Sequence, residues 1–141
     1  MKRTATAVWS GALKDGTGTI DTQSGAFSSQ PYSFKSRFED ESGRSGTNPE
    51  ELLAAAHAGC FAMQLSHFLA ENGTPAERLE ASAAVELVPG TGITGSALTL
   101  TATVPGIDEA KFRELADKAK AECPVSRALG AITVTLDASL A

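Results

Sequence analysis

Asn48-Pro49-Glu50-Glu51-Leu52-Leu53-Ala54-Ala55-Ala56-His57-Ala58-Gly59-Cys60-Phe61, continuing through Met63, Leu65, Phe68 and Leu69 to Glu71, is the stretch on which the fold turns. Asn48 suits an N-cap, Pro49 suits the first helical position, and Glu51 stands three residues past the cap, as a capping box requires. Asn72-Gly73 supplies the stop. Between these signals the helix is apolar on almost every side and rich in alanine over 54–62, the pattern of a central, buried helix. Its small residues let a second backbone approach closely. His57, Gln64, Ser66 and His67 interrupt the most hydrophobic window, and a membrane span carries almost no such groups.

Outward from this helix the elements fall in blocks. Toward the N-terminus, Thr4–Trp9 and Thr17–Thr22 alternate polar and apolar positions around Gly11–Gly18, which predicts a hairpin. Tyr32–Phe38 alternates again, with Tyr32, Phe34 and Phe38 on one face and Ser33, Lys35 and Arg37 on the other, so a strand is expected there. Residues 39–47 form a polar, glycine-containing loop. Toward the C-terminus, two long strands are expected near Glu80–Val88 and Gly95–Val104, separated by Pro89-Gly90-Thr91-Gly92. Asp108 caps a second helix that runs to about Glu122. Pro124 starts a further turn to Leu129, and Ile132–Leu136 reads as a last strand. Strands and helices in blocks predict an α+β fold, with an antiparallel sheet packed on a central buried helix.

The chain has 141 residues, 42% hydrophobic and 21% charged, which fits one globular domain spanning 1–141 and excludes wholesale disorder. Its formal net charge is −5. No Lys/Arg cluster exceeds the one at Met1-Lys2-Arg3, so a nucleic-acid partner is not expected. No apolar run of signal-peptide length follows that opening, and no membrane partner is expected. A cytoplasmic location is the expectation, and in such a compartment two cysteines are more often catalytic, metal-binding or inert than structurally bridged.

Cys60 lies mid-helix. At about 100° per residue, His57, Gln64 and His67 fall within roughly 60° of it, giving a buried helix one polar stripe that contains a thiol. Satisfied core polar groups and a reactive thiol both fit that stripe. A mid-helix cysteine cannot draw on its own helix's N-terminal dipole, so a reactive Cys60 needs another cation. Cys123 shares the inward stripe of the second helix with Phe112 and Ala119. It also precedes the turn opened by Pro124, where free N–H groups favour a thiolate. A small buried hydrophobe at a chain bend is the alternative. Glu51 is occupied by capping, whereas Glu50 is not, and Arg37 alone reads as a surface arginine.

Asn48-Pro49-Glu50-Glu51-Leu52-Leu53, Ala55-Ala56-His57-Ala58-Gly59-Cys60-Phe61 and Cys123-Pro124-Val125-Ser126 resemble the OsmC/Ohr family of thiol peroxidases. Ser36-Arg37-Phe38-Glu39, Val104-Pro105-Gly106-Ile107-Asp108, His57 before Cys60 and Val125 after Cys123-Pro124 are similar to the OsmC branch. The resemblance runs from about Trp9 to Leu136. It implies an intertwined homodimer with two active sites at the subunit interface. It also implies that Cys60 is the peroxidatic cysteine, Cys123 the resolving one, and Arg37 and Glu50 their polar partners.

On that resemblance the Cys60 thiolate attacks an organic hydroperoxide and becomes a sulfenic acid. Cys123 then condenses with it, and an external dithiol, such as a lipoyl-bearing protein, restores both thiols. No cofactor is implied. A metal site built from Cys60, His57, His67 and Cys123 is the leading rival. It lacks a Cys-x-x-Cys pair, and its two histidines stand about three helical turns apart. A non-catalytic dimeric binding or structural protein is the other alternative.

Overall fold

The computed structural model describes all residues from Met1 to Ala141. Two compact units divide the chain, Met1–Pro49 and Glu50–Ala141.

The first unit is a three-stranded antiparallel sheet, β1 (Ala5–Ser10), β2 (Thr17–Thr22) and β3 (Gln30–Ser33), in the order β1-β2-β3. The expected hairpin is formed by β1 and β2, with Trp9 opposite Gly18. Gly18 also stands opposite Tyr32 of β3. A Cβ at Gly18 would come within 2.5 Å of the Tyr32 ring and 2.4 Å of the Val8 carbonyl oxygen, so only glycine fits between them. The absent side chain lets the Trp9 and Tyr32 rings meet at 5.3 Å across the middle strand.

The strand expected over Tyr32–Phe38 ends at Ser33, and Arg37 is helical. Ser33 accepts from the Ser36 N–H at 3.0 Å, and Ser36 Oγ accepts from the Ser33 N–H at 2.9 Å. This reciprocal capping box starts a one-turn helix, α1 (Phe34–Phe38). The alternation of aromatic residues mimics a strand, yet Phe34 and Phe38 are also i,i+4 neighbours, and their rings pack at 4.8 Å. In the polar loop that follows, the Asp40 carboxylate accepts from the N–H groups of Ser42, Arg44 and Ser45 at 2.8–2.9 Å. Together with the Ser42 and Ser45 side chains, these contacts hold its pKa far below the usual carboxylate range.

The second unit opens with α2 (Pro49–Glu71) and continues through β4 (Arg78–Val88), β5 (Gly92–Thr103), α3 (Glu109–Glu122), α4 (Pro124–Ala128) and β6 (Thr133–Leu140). Asp108 caps α3, accepting from the Lys111 N–H at 2.9 Å. The hairpin of β4 and β5 is antiparallel, turned through Gly90 and Gly92, both at positive φ. β6 adds beside β5 in parallel, so this sheet is mixed rather than wholly antiparallel. A parallel partner needs a crossover, and α3 with α4 supplies it.

β5 is the central strand, and its inward row is Ser96, Leu98, Leu100 and Ala102. Leu98, Leu100 and Ala102 join Phe61, Leu65 and Leu69 of α2 and Phe112, Leu115, Ala116 and Ala119 of α3 in one core. α2 is therefore central, but it is buried on one face only. Met63 is 77% exposed, and Ala55, Ala56, Gly59, Ser66, His67 and Ala70 lie on the open side with it. By length and mean hydropathy α2 is apolar enough to cross a membrane, but its buried face belongs to a protein core that includes a hydrogen-bonded histidine.

Candidate functional site

His57 is fully buried, and a buried imidazole needs partners at both nitrogens. It has them. Nδ1 is 2.7 Å from Ser96 Oγ on β5, and Nε2 is 2.8 Å from Ser126 Oγ on α4. Burial pushes the imidazole below its ordinary pKa, so it is neutral, with one nitrogen donating and the other accepting. Ser96 is 1% exposed and Ser126 8%. No buried side-chain nitrogen or oxygen is left without a hydrogen-bond partner.

Cys60 comes one helical turn after His57 and is half-buried, facing the same end of α4. Cys123 is fully buried and serves as both the C-cap of α3 and the N-cap of α4. Pro124 has no N–H to offer, so the first free amides of α4 are those of Val125 and Ser126. The two thiols are free and adjacent, and their titrations are linked.

Burial, then the interaction with the Cys123 side chain, pushes the Cys60 thiol above its ordinary value, against the lowering effect of the Val125 N–H. Burial pushes Cys123 upward as well. There it is outweighed by the Ser126 N–H, the Cys60 side chain, the Ser126 hydroxyl and the Val125 N–H, so Cys123 lies below its ordinary value.

The other two expected site residues are Glu50 and Arg37. Glu50 is in the first turn of α2, about 15 Å along the helix axis from Cys60. Arg37 belongs to the first unit, where its guanidinium carbon lies 4.9 Å over the Phe38 ring. With Trp9, Tyr32, Phe34 and Phe38 it lines a largely apolar pocket of about 310 Å3.

His67 leaves the polar stripe and points to solvent, 3.5 Å from Glu71. Nowhere do three His, Cys, Asp or Glu side chains converge as metal ligands would, and both nitrogens of His57 are already engaged by hydroxyls. Ser96 and Ser126 went unassigned in the sequence reading. The available signal for Ser96 is a hydroxyl in an inward row that is otherwise apolar. For Ser126 it is a position three residues past the cap of a turn opened by proline.

Comparison with known proteins agrees with this architecture. The chain is 47% identical over 137 residues to Peroxiredoxin OsmC of Escherichia coli, covering 95% of this chain and 93% of that one. It is 40% identical over 98 residues to an organic hydroperoxide resistance protein of Xanthomonas axonopodis pv. citri, covering 67% and 68%. Among solved structures, the Bacillus subtilis organic hydroperoxide resistance protein OhrB superposes with a TM-score of 0.66 at 26% identity, over 96% of this chain and 98% of that one. The family model for OsmC-like proteins matches residues 40–137, and the chain belongs to that family.

Proposed function

We propose that the protein is a cysteine-based peroxidase that reduces organic hydroperoxides to alcohols. The observation that carries this reading is the pairing of two free thiols, Cys60 and Cys123, at the start of α4. The names of the related proteins, a peroxiredoxin and organic hydroperoxide resistance proteins, support it.

In this reading Cys60 is the peroxidatic residue. Its thiol is pushed up by burial and by Cys123, so it requires a cation to ionise. Arg37 supplies that charge because its guanidinium does not deprotonate, and Glu50 orients it through a bidentate pair. The Cys60 thiolate attacks the distal peroxide oxygen, the O–O bond breaks, and the alkoxide leaves beside Arg37 to take up a proton. Cys123 condenses with the Cys60 sulfenic acid, releasing water. An external dithiol, of the kind a lipoyl-bearing protein carries, exchanges with the disulfide and restores both thiols. Sulfur carries the electrons throughout, so no cofactor is required. The aromatic pocket beside Arg37 fits the hydrocarbon tail of such a substrate.

The working form in this reading is an intertwined homodimer in the cytoplasm. Support comes from the open face of α2, where small residues surround Met63, and from β1, all six residues of which are exposed although Val8 and Trp9 are apolar.

One equivalent of cumene hydroperoxide added to reduced protein tests the chemistry. Rapid loss of both thiols, a mass decrease of about 2 Da and one equivalent of alcohol are expected. Cys123→Ser is expected to turn over once and stop at a Cys60 sulfenic acid. Thiols that stay reduced while the peroxide persists would overturn the reading.

A further inference from the structure

His57 takes no part in the steps above, yet it is fully buried and both its ring nitrogens are committed. Its partners come from the two elements that flank the cysteine pair, Ser96 on β5 and Ser126 on α4. One turn of α2 thus grips the start of α4 at two points. His57 meets the Ser126 hydroxyl, and Cys60 meets Cys123 and the Val125 N–H.

The donor count sets a direction along this chain. A serine hydroxyl has one hydrogen, and a neutral imidazole has one N–H. When the Ser96 hydroxyl donates to Nδ1, the Nε2–H donates to Ser126 Oγ. The single hydrogen of Ser126 is then left for the Cys123 sulfur. The opposite tautomer spends that hydrogen on Nε2 and leaves the sulfur facing only a lone pair.

We propose that His57 is a positioning residue for the resolving step, anchored by Ser96 and orienting the Ser126 hydroxyl so that it donates to the sulfur of Cys123 and keeps that sulfur facing Cys60. The inference rests on the peroxidase reading of the same site. The lowered pKa of Cys123, to which both the N–H and the hydroxyl of Ser126 contribute, agrees with it. The step served is balanced. Cys123 gives up its proton, its thiolate attacks the Cys60 sulfur, the S–O bond of the sulfenic acid breaks, and the departing hydroxide takes a proton to leave as water. A resolving sulfur that ionises more readily and is held in place shortens the life of the sulfenic acid and so its exposure to a second peroxide.

The test titrates Cys123 by its thiolate absorbance in a Cys60→Ser background, with Ser126→Ala, Ser126→Thr or His57→Leu added. Ser126→Ala and His57→Leu are expected to raise the Cys123 pKa by about one unit, and Ser126→Thr to restore it. In proteins carrying both cysteines, the same two variants are expected to prolong the sulfenic acid, trapped with dimedone after one turnover, by about tenfold. Ser126→Ala keeps the test valid if His57→Leu fails to fold. A merely structural role would lower the melting temperature and leave the titration unmoved. An unshifted Cys123 pKa in Ser126→Ala would overturn the proposal. Wild-type protein that fails to consume peroxide would instead overturn the peroxidase reading and leave the titration result standing.

Discussion

His57 Nε2 and Ser126 Oγ lie 2.8 Å apart, joining residues 69 positions distant in the chain. The contact fixes α4 against α2 at the position where the two cysteines meet, so the thiol pair is placed by a buried polar bond as well as by apolar packing. Leaving either partner unpaired in the core costs about 1–3 kcal/mol, more than an ordinary surface hydrogen bond returns.

That burial makes stability depend on pH. The folded-state pKa of His57 is pushed below its ordinary value of about 6.5, so the unfolded chain takes up a proton at this residue before the folded one does. The burial penalty is absent above the unfolded pKa. It grows as pH falls below about 6.5 and levels off once the folded-state pKa has been passed. Urea denaturation from pH 8 to pH 5 is expected to show declining stability, and His57→Gln is expected to flatten the part of the decline that starts near pH 6.5. Parallel curves for the two proteins would contradict the assignment.

Arg37→Lys separates the charge of this side chain from its shape. Lysine keeps the positive charge and loses the planar fork that pairs with a carboxylate. A fall in kcat/KM of about tenfold to a hundredfold is expected, with an unchanged far-UV spectrum. Wild-type kinetics in this variant would remove Arg37 from the mechanism.

The homodimer can be challenged on the open side of α2. Met63, 77% exposed, is the largest apolar side chain there. Met63→Glu places a charge on a face that the dimer reading covers, and burial of an unpaired charge is strongly opposed. Sedimentation is expected to show the wild type as a dimer and the variant shifted toward monomer. A wild-type monomer would overturn the dimer reading.

How much of this was legible in the sequence depends on how local each signal is. Helix α3 could be read because Asp108 caps it and its apolar stripe ends at Cys123, both within a few turns of chain. The β1–β2 hairpin and the length of α2 were legible for the same reason. The parallel pairing of β5 with β6 was not, because a strand's alternation is the same whichever way its partner runs. Arg37 was misplaced because Phe34 and Phe38 satisfy a strand face and a helix face equally, and the Ser33–Ser36 capping box decided between them. Cys60, His57 and Cys123 were visible as inward polar groups. The meeting of the two cysteines followed from the family resemblance and not from any local signal, because it depends on where a non-local sheet places α4.

Cys123 belongs to two helices at once, and roughly sixty residues of chain separate it from Cys60. Closing a loop of that length narrows the unfolded ensemble by about 4 kcal/mol in the chain-entropy description. The catalytic cycle would then alternate between a tethered, heat-resistant molecule and a looser one. On the proposed cycle, the reduced protein is expected to be the form more open to heat and proteolysis.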